Sequence, residues 1–264
     1  MNRHCKSFFR RFLPKSIRCQ HILGGPLRGS PIVTSWHDYP AAILGRTERP
    51  LMNWFAENVR PGETWLDIGA HYGYTAIALS RLVGQAGRVF AFEPMVSTAG
   101  CLGQTKMLNN LPQLTVLPLA LGKPQTLELQ QLPFVRGMVD RTLEKNEGFQ
   151  ETILVARLDW LWPQICGRQE NIHGVKIDVQ GMEIEVLKGM TELLKRLGPK
   201  LVVEMHRGVD RGELLHLVTS LGYSLPSTPI EPIAGEVEPL YLDDRSYAFG
   251  GYLTGCGKSP SSSI

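Results

Sequence analysis

The chain has 264 residues, 43% of them hydrophobic, and a formal net charge of +3. That length suits one α/β domain of ordinary size with an appendage and argues against a second full domain. Residues 1–37 hold seven basic residues (Arg3, Lys6, Arg10, Arg11, Lys15, Arg18 and Arg28) and no Asp or Glu, which leaves 21 basic against 25 acidic residues in the remainder. The body therefore lacks the overall basic charge that sequence-independent nucleic-acid binding requires, and no nucleic-acid partner is expected.

The basic arm is assigned to residues 1–45. Within it Phe8, Phe9, Phe12, Leu13 and Ile17 recur at near-helical spacing among the arginines, a pattern able to lay one face on an anionic membrane surface. Pro14 interrupts that pattern, so a docked or frayed arm is the simpler expectation. No run of 18 apolar residues occurs and the start lacks the apolar core of a secretion signal, so the chain reads as soluble and cytoplasmic, although an Arg-rich, acid-free start also resembles an organelle transit peptide. Cys5, Cys19, Cys101, Cys166 and Cys256 are odd in number, scattered and never paired as C-x-x-C, which suits a reducing compartment and argues against a structural zinc.

The spacing predicts a helix over 49–59, with Pro50 in its first turn and Pro61-Gly62 as its stop. The run Thr64-Trp65-Leu66-Asp67-Ile68-Gly69-Ala70-His71-Tyr72-Gly73 follows: a strand, then a glycine turn. A helix over 74–82 and a strand over 88–93 that ends in Glu93 complete half of a doubly wound α/β unit. Glycines at 69 and 73 remove side chains where the backbone must approach a ligand, and an acid at the end of the next strand can accept hydrogen bonds from both ribose hydroxyls. A dinucleotide site requires G-x-G-x-x-G from Gly69, but His71 and Tyr74 stand at the second and third glycine positions. Asp67 would repel a pyrophosphate and suits the ammonium and sulfonium of S-adenosylmethionine (SAM), so SAM is favoured over NAD.

Further along come a helix over 96–109, a strand over 114–119 and an exit turn at Ala120-Leu121-Gly122. Residues 123–158 break the rhythm with β-like runs over 126–132 and 152–158 around a polar stretch, 136–150, and read as an insertion over the active face. A short helix over 159–165 broken by Pro163, a strand over 174–179, one amphipathic helix over 181–197, a strand over 200–206 and a helix over 213–221 follow. A proline-rich connection over 226–239 and a strand over 247–253 precede a tail, 255–264, expected to be disordered. The body is thus 46–254, an α/β Rossmann-like domain.

On the strand over 174–179, Lys176, Asp178 and Gln180 share one side, and on the next strand Glu204 and His206 do the same. Three polar residues are unusual in a buried parallel strand, and if the two strands are neighbours Asp178 and His206 converge on the cleft at the carboxyl ends of the strands. Methyl transfer from a sulfonium needs the acceptor aligned and its proton received, and His206 is the natural base, with Glu204 or Asp178 as its orienting partner. Glu183 and Glu185 are expected to serve the helix dipole, His37-Asp38-Tyr39 to be structural or to line the acceptor pocket, and His71 and Tyr72 to cap or pack. Asp178, Glu204 and Asp159 offer oxygen ligands, but no compact acidic pair follows the strand over 200–206, so no metal is expected.

The segments LDIGAHYGYTAIAL, RVFAFEP, the ALG turn, VKIDVQGMEIEVLKGM and LVVEMH resemble, in order and spacing, the FkbM family of SAM-dependent methyltransferases, over roughly residues 43–206. The resemblance implies a class I methyltransferase fold, a mostly parallel seven-stranded sheet with helices on both faces. It also implies O-methylation of a hydroxyl on a sugar, glycolipid or polyketide-type molecule. SAM contacts are implied for Asp67, Gly69, Ala70, Gly73, Glu93 and Ala120, with Asp178 near the transferred methyl. Gln180 stands where the family often has Glu, which makes His206 a stronger candidate for proton transfer. Two alternatives remain open: transfer to nitrogen, and an inactive methyltransferase fold that binds at a membrane surface.

Overall fold

The computed structural model describes residues 12–135, 138–139, 149–168 and 170–250. The membrane-facing pattern at Phe8 and Phe9, Cys5 and Cys256, most of the 136–150 stretch and the 255–264 tail lie outside the described residues.

Alternating apolar strands and helical segments fold into a doubly wound unit. The strands of the main sheet are β3 (Thr64–Ile68), β4 (Arg88–Phe92), β5 (Leu114–Leu117), β10 (Gly174–Ile177), β11 (Lys200–Met205), β12 (Thr228–Pro229) and β13 (Arg245–Phe249). Their order is β12-β13-β11-β10-β3-β4-β5, and β11, β10, β3, β4 and β5 are mutually parallel while β13 runs antiparallel to β11. The expected mostly parallel seven-stranded sheet is therefore present, and β10 and β11 are neighbours.

Parallel strands must be covered on both faces, and their alternating side chains feed two cores. Leu66, Ile68, Phe90, Phe92, Val175 and Ile177 face one layer of helices: α5 (Leu158–Ile165), α6 (Glu183–Gly189), α7 (Thr191–Leu197) and α8 (Arg211–Ser220). Trp65, Val89, Ala91 and Val202 face the other: α2 (Arg49–Asn58), α3 (Tyr74–Val83) and α4 (Val96–Leu108). Each Leu, Ile, Val or Phe among them, fully buried, contributes about 1.5–3 kcal/mol, so these layers fix the sheet on which the site is built. Trp65 also explains Gly174, its register partner: a Cβ there would lie 2.3 Å from the indole ring.

Several expected elements differ. The amphipathic run over 181–197 is two helices, because at Met190 the backbone leaves helical geometry (φ −131°, ψ 22°) and Thr191 Oγ1 donates to the Leu187 and Lys188 carbonyls. Gly189, at the end of α6, lies so close to the loop after Leu121 that a Cβ would sit 1.8 Å from the Gly122 carbonyl. The apolar period runs on through this break, so periodicity alone does not reveal it. Pro163 lies inside α5 without ending it. Within the proline-rich connection β12 forms an edge strand, where a missing N–H is tolerated.

Residues 18–45, grouped by charge with the arm, are built into the fold. The hairpin of β1 (Arg18–His21) and β2 (Pro31–Thr34) and the short helix α1 (Pro40–Ile43) place Ile22, Ile32, Val33 and Ala42 in the core on the α3 side. The Ala120-Leu121 part of the expected exit turn is β6 (Ala120–Leu121), which joins β7 (Glu128–Val135), β8 (Met138–Val139) and β9 (Phe149–Ala156) in a second sheet of order β6-β9-β7-β8. Ile153 of β9 packs with Met95, Ala120 and Met182, so this sheet stands against the carboxyl end of the main one.

Candidate active site

The loops after β3, β4 and β10, with Glu204 of β11, line a cleft at the crevice where open α/β sheets bind ligands. Gly69 closes β3 with φ +82°, and a Cβ there would fall 1.7 Å from the Asp178 carbonyl. The turn is thus pressed directly on the end of β10, and Gly69 and Ala70 both donate their N–H to the Phe92 carbonyl at 3.0 Å. Gly73 has φ +94° and a Cβ there would meet Leu102 at 2.2 Å. Both glycines are required by the close approach of the protein to itself, which a reading of them as ligand clearance alone does not contain.

Glu93, just past β4, is 2% exposed and lines the cleft with Ala70 and Ala120. Its Oε2 accepts the His71 N–H at 2.9 Å and its Oε1 the Met95 N–H at 3.0 Å. Burial outweighs those two donors and pushes the carboxyl up to about 8. The neighbouring His71 imidazole, its ring tilted against that of Tyr39 with centroids 4.8 Å apart, is pushed by burial down to about 4 and is neutral at physiological pH.

Asp67 and Lys176 are direct register partners on β3 and β10, and both are buried. Lys176 Nζ lies 3.2 Å from Asp67 Oδ1 and 3.3 Å from Asp178 Oδ2, and donates to the Gly69 carbonyl at 3.1 Å. Thr75 Oγ1 donates to Asp67 Oδ2 at 2.6 Å. Burial disfavours the ammonium, but Asp67 and Asp178 outweigh it and raise the Lys176 pKa. The cation that Asp67 was expected to find in a ligand is therefore supplied by the chain itself. Asp67 and Gly73 stand behind the cleft wall, whereas Thr75, Lys176, Asp178, Gly69, Ala70, Glu93 and Ala120 line it.

His206, 3% exposed, follows β11, and its Nδ1 is 2.7 Å from Glu183 Oε1. Its Nε2 is 2.7 Å from the Gln180 amide nitrogen and 3.5 Å from both Asp178 Oδ1 and Glu204 Oε1. Burial works against the imidazolium, yet the Glu183 hydrogen bond and the charges of Asp178, Glu183 and Glu204 raise the pKa to about 9. Burial likewise works against the Asp178 carboxylate, but Lys176 and His206 hold its pKa below the ordinary value. Glu204 is raised well above the ordinary range by burial and by the like charges of Asp178 and Glu48. Asp178 and His206 come within 3.5 Å of each other, but His206 does not line the cleft as a base would, and the closest carboxylate to the imidazole is Glu183. That residue is wholly buried at the first turn of α6 and does more than serve the helix dipole.

Three further cleft residues come from the segment before α2. Asp38 and Tyr39 line the cleft, with Asp38 accepting from Tyr72 Oη at 3.0 Å, and Glu48 joins them from a left-handed residue (φ 52°) that precedes α2. The signal for Glu48 is slight in the sequence: an acid before a helix reads first as a cap, yet its side chain caps nothing. Asp159 is elsewhere, accepting the Leu193 N–H at 3.1 Å, and belongs to helix packing.

These features fit a known family. The chain matches the methyltransferase FkbM domain over residues 67–225 and belongs to that family, whose members are SAM-dependent methyltransferases. A hexuronic acid methyltransferase, AglP, from Haloferax volcanii is 29% identical over 188 residues, covering 70% of this chain and 73% of that protein. Among solved structures, an FkbM methyltransferase from Methylobacillus flagellatus KT aligns with TM-score 0.49 and 19% identity over 80% of this chain and 53% of its own. An rRNA methylase from Streptococcus thermophilus aligns with TM-score 0.45 and 14% identity over 78% of this chain and 96% of its own.

Proposed function

We propose that this methyltransferase moves the methyl group of SAM to a hydroxyl oxygen of a sugar or sugar-bearing lipid. The observation that carries the reading is the cleft itself: Glu93, Asp178 and Glu204 open on one cavity at the carboxyl ends of β4, β10 and β11. Each Glu93 oxygen accepts one backbone N–H and has room for a second hydrogen bond, and the two hydroxyls of an unphosphorylated ribose, which both donate and accept, can meet the carboxyl in either protonation state. Phe92, Leu119, Leu121 and Ile153 form an apolar wall beside it, of the kind an adenine ring requires. Bound SAM supplies an electrophilic methyl on a sulfonium.

The chain supplies alignment and a destination for the proton. Asp178, kept ionised by Lys176 and His206, presents its carboxylate to the cleft beside Glu204 and can accept the hydrogen of an acceptor hydroxyl, which points its oxygen lone pair into the cavity. Alignment of this kind lowers the barrier by an amount on the order of 7 kcal/mol when the reacting atoms are held near contact. His206 does not line the cavity, and acts by holding these two carboxylates in place from behind.

A sugar acceptor is supported by the relative named for hexuronic acid. The free thiols Cys19, Cys101 and Cys166 suit a cytoplasmic enzyme. Among the described residues no helix is long and apolar enough to cross a membrane.

The test is transfer of isotope-labelled methyl from SAM to neutral glycosides, amino sugars, uronic acids and glycolipids. Alkali-stable label on a sugar oxygen marks a methyl ether and supports the reading. Alkali-labile label marks an ester, and label on nitrogen marks an amine acceptor; either would overturn the hydroxyl assignment.

A further inference from the structure

The cluster formed by Asp178, Glu204 and His206 does more than orient a hydroxyl. Three ligand-type atoms, Asp178 Oδ1, Glu204 Oε1 and His206 Nε2, all lie within 4.8 Å of one another, although they come from the ends of two strands. The imidazole nitrogen is 3.5 Å from each carboxylate oxygen. Neighbouring donors around a tetrahedral ion with bonds of about 2.1 Å are separated by about 3.4 Å, so the two imidazole-to-carboxylate separations leave room for an ion among the three atoms.

A separate observation concerns what holds the imidazole. His206 is 3% exposed, and Glu183, wholly buried in the first turn of α6, engages its Nδ1 at 2.7 Å. A carboxylate on the far nitrogen is the arrangement that orients a metal-ligating histidine and leaves Nε2 for the ion. Gln180 adds a fourth group: its amide sits 2.7 Å from Nε2 and 3.3 Å from Asp178 Oδ1, and rotation of the amide by half a turn presents its oxygen there. Charge agrees, since Asp178, Glu183, Glu204 and the nearby Glu48 are faced by one ammonium, Lys176, which also serves Asp67.

We propose that Asp178, Glu204 and His206, with Gln180 as a fourth ligand, bind a divalent first-row transition cation such as Mn²⁺ at the floor of the cleft. The imidazole points to a first-row transition ion rather than Mg²⁺ or Ca²⁺, which are bound through oxygen, and the two carboxylates make Mn²⁺ a suitable member of that row. The expectation of no metal rested on the lack of an acidic pair after β11. The pairing of β10 with β11 assembles the ligands from both strands instead. An open position toward the cavity would take the acceptor hydroxyl and ease the loss of its proton, a role that rests on the methyl-transfer reading above, whereas the ion site itself does not.

The experiment is titration of the full-length chain, stripped with a chelator, with Mn²⁺, followed by electron paramagnetic resonance of free Mn²⁺ and by calorimetry. SAM binding is measured in parallel without metal. One site per chain is expected, weakened at least tenfold in Glu204→Gln and in His206→Gln. Glu183→Gln, which touches the ion only through His206, should weaken it about 10- to 100-fold. Circular dichroism confirms that each variant is folded, and Glu204→Gln, at a partly exposed side chain, is the variant of choice if the His206 change disturbs folding. No saturable Mn²⁺ binding, or binding unchanged in folded Glu204→Gln, would overturn the site. Loss of SAM binding with Mn²⁺ binding intact would instead count against the methyltransferase reading alone.

Discussion

Lys176 and Asp67 are register partners on adjacent parallel strands, and their side chains meet 3.2 Å apart in a fully buried layer under the glycine turn. The same ammonium reaches Asp178 and the Gly69 carbonyl, so one cation ties the end of β3 to the end of β10 where the cleft opens. Removing it strands two carboxylates. Lys176→Met should destabilise the fold by about 3–5 kcal/mol, the usual result of breaking a buried pair from one side. Urea denaturation reads this as a lower midpoint, and a midpoint within experimental error of the parent would contradict the bridging role.

Gly69→Ala should fail for a different reason. The new Cβ would lie 1.7 Å from the Asp178 carbonyl, and the residue already has φ +82°. Gly62, with φ +84° and no atom within 4 Å of the place a Cβ would take, isolates the conformational part of the penalty. Gly62→Ala should therefore cost about 1 kcal/mol, and Gly69→Ala several times that, with weakened SAM binding in whatever folds. Equal melting temperatures for the two variants would show that the β3 turn can move off β10.

The buried carboxyl of Glu93 gives the protein a pH signature. Its pKa is about 8 in the fold against an ordinary 4.5. With the folded value above the unfolded one, the unfolded chain releases its proton first as pH rises. The contribution of Glu93 is therefore most favourable below 4.5 and declines as pH climbs through about 8, by an amount on the order of a few kcal/mol. Glu93→Gln, which keeps an acceptor for one backbone N–H and cannot ionise, should flatten this decline. Chemical denaturation at a series of pH values distinguishes the two, and parallel curves would contradict the assignment.

Glu48 projects into the cleft beside Asp178 and Glu204 without capping its helix. If it faces the acceptor, Glu48→Gln should lower kcat/KM for the acceptor about tenfold, the loss expected for one charge-assisted hydrogen bond, and leave SAM affinity unchanged. A matching loss in SAM affinity would place Glu48 on the cofactor instead.

Much of this arrangement is legible in the sequence because period and glycine placement encode parallel strands directly. The run from Thr64 to Gly73 and the acid at 93 translate into the observed cleft, whereas β10 ends at Ile177, so Asp178 and Gln180 (φ 52°) reach the cleft from the turn beyond it rather than from a shared strand face. What stays hidden depends on contacts between distant segments. Lys176 reads as one polar residue among three until strand order places it opposite Asp67. Glu183 sits where acids favour a helix start for electrostatic reasons alone, so its bond to His206, 23 residues away, leaves no local trace. The hairpin at 18–34 is obscured because basic charge and short strands resemble an arm, while the apolar residues that dock it, Ile22, Ile32 and Val33, show no long period.

The most direct test is calorimetric titration of the purified chain with SAM and with its demethylated product, alongside Glu93→Ala. Binding of both by the parent is expected, with a loss of about 1.5–3 kcal/mol, or roughly 10- to 100-fold, in the variant as the hydrogen bonds to the ribose disappear. A folded parent that binds neither, or a folded Glu93→Ala that binds SAM as tightly as the parent, would contradict the placement of the cofactor in this cleft.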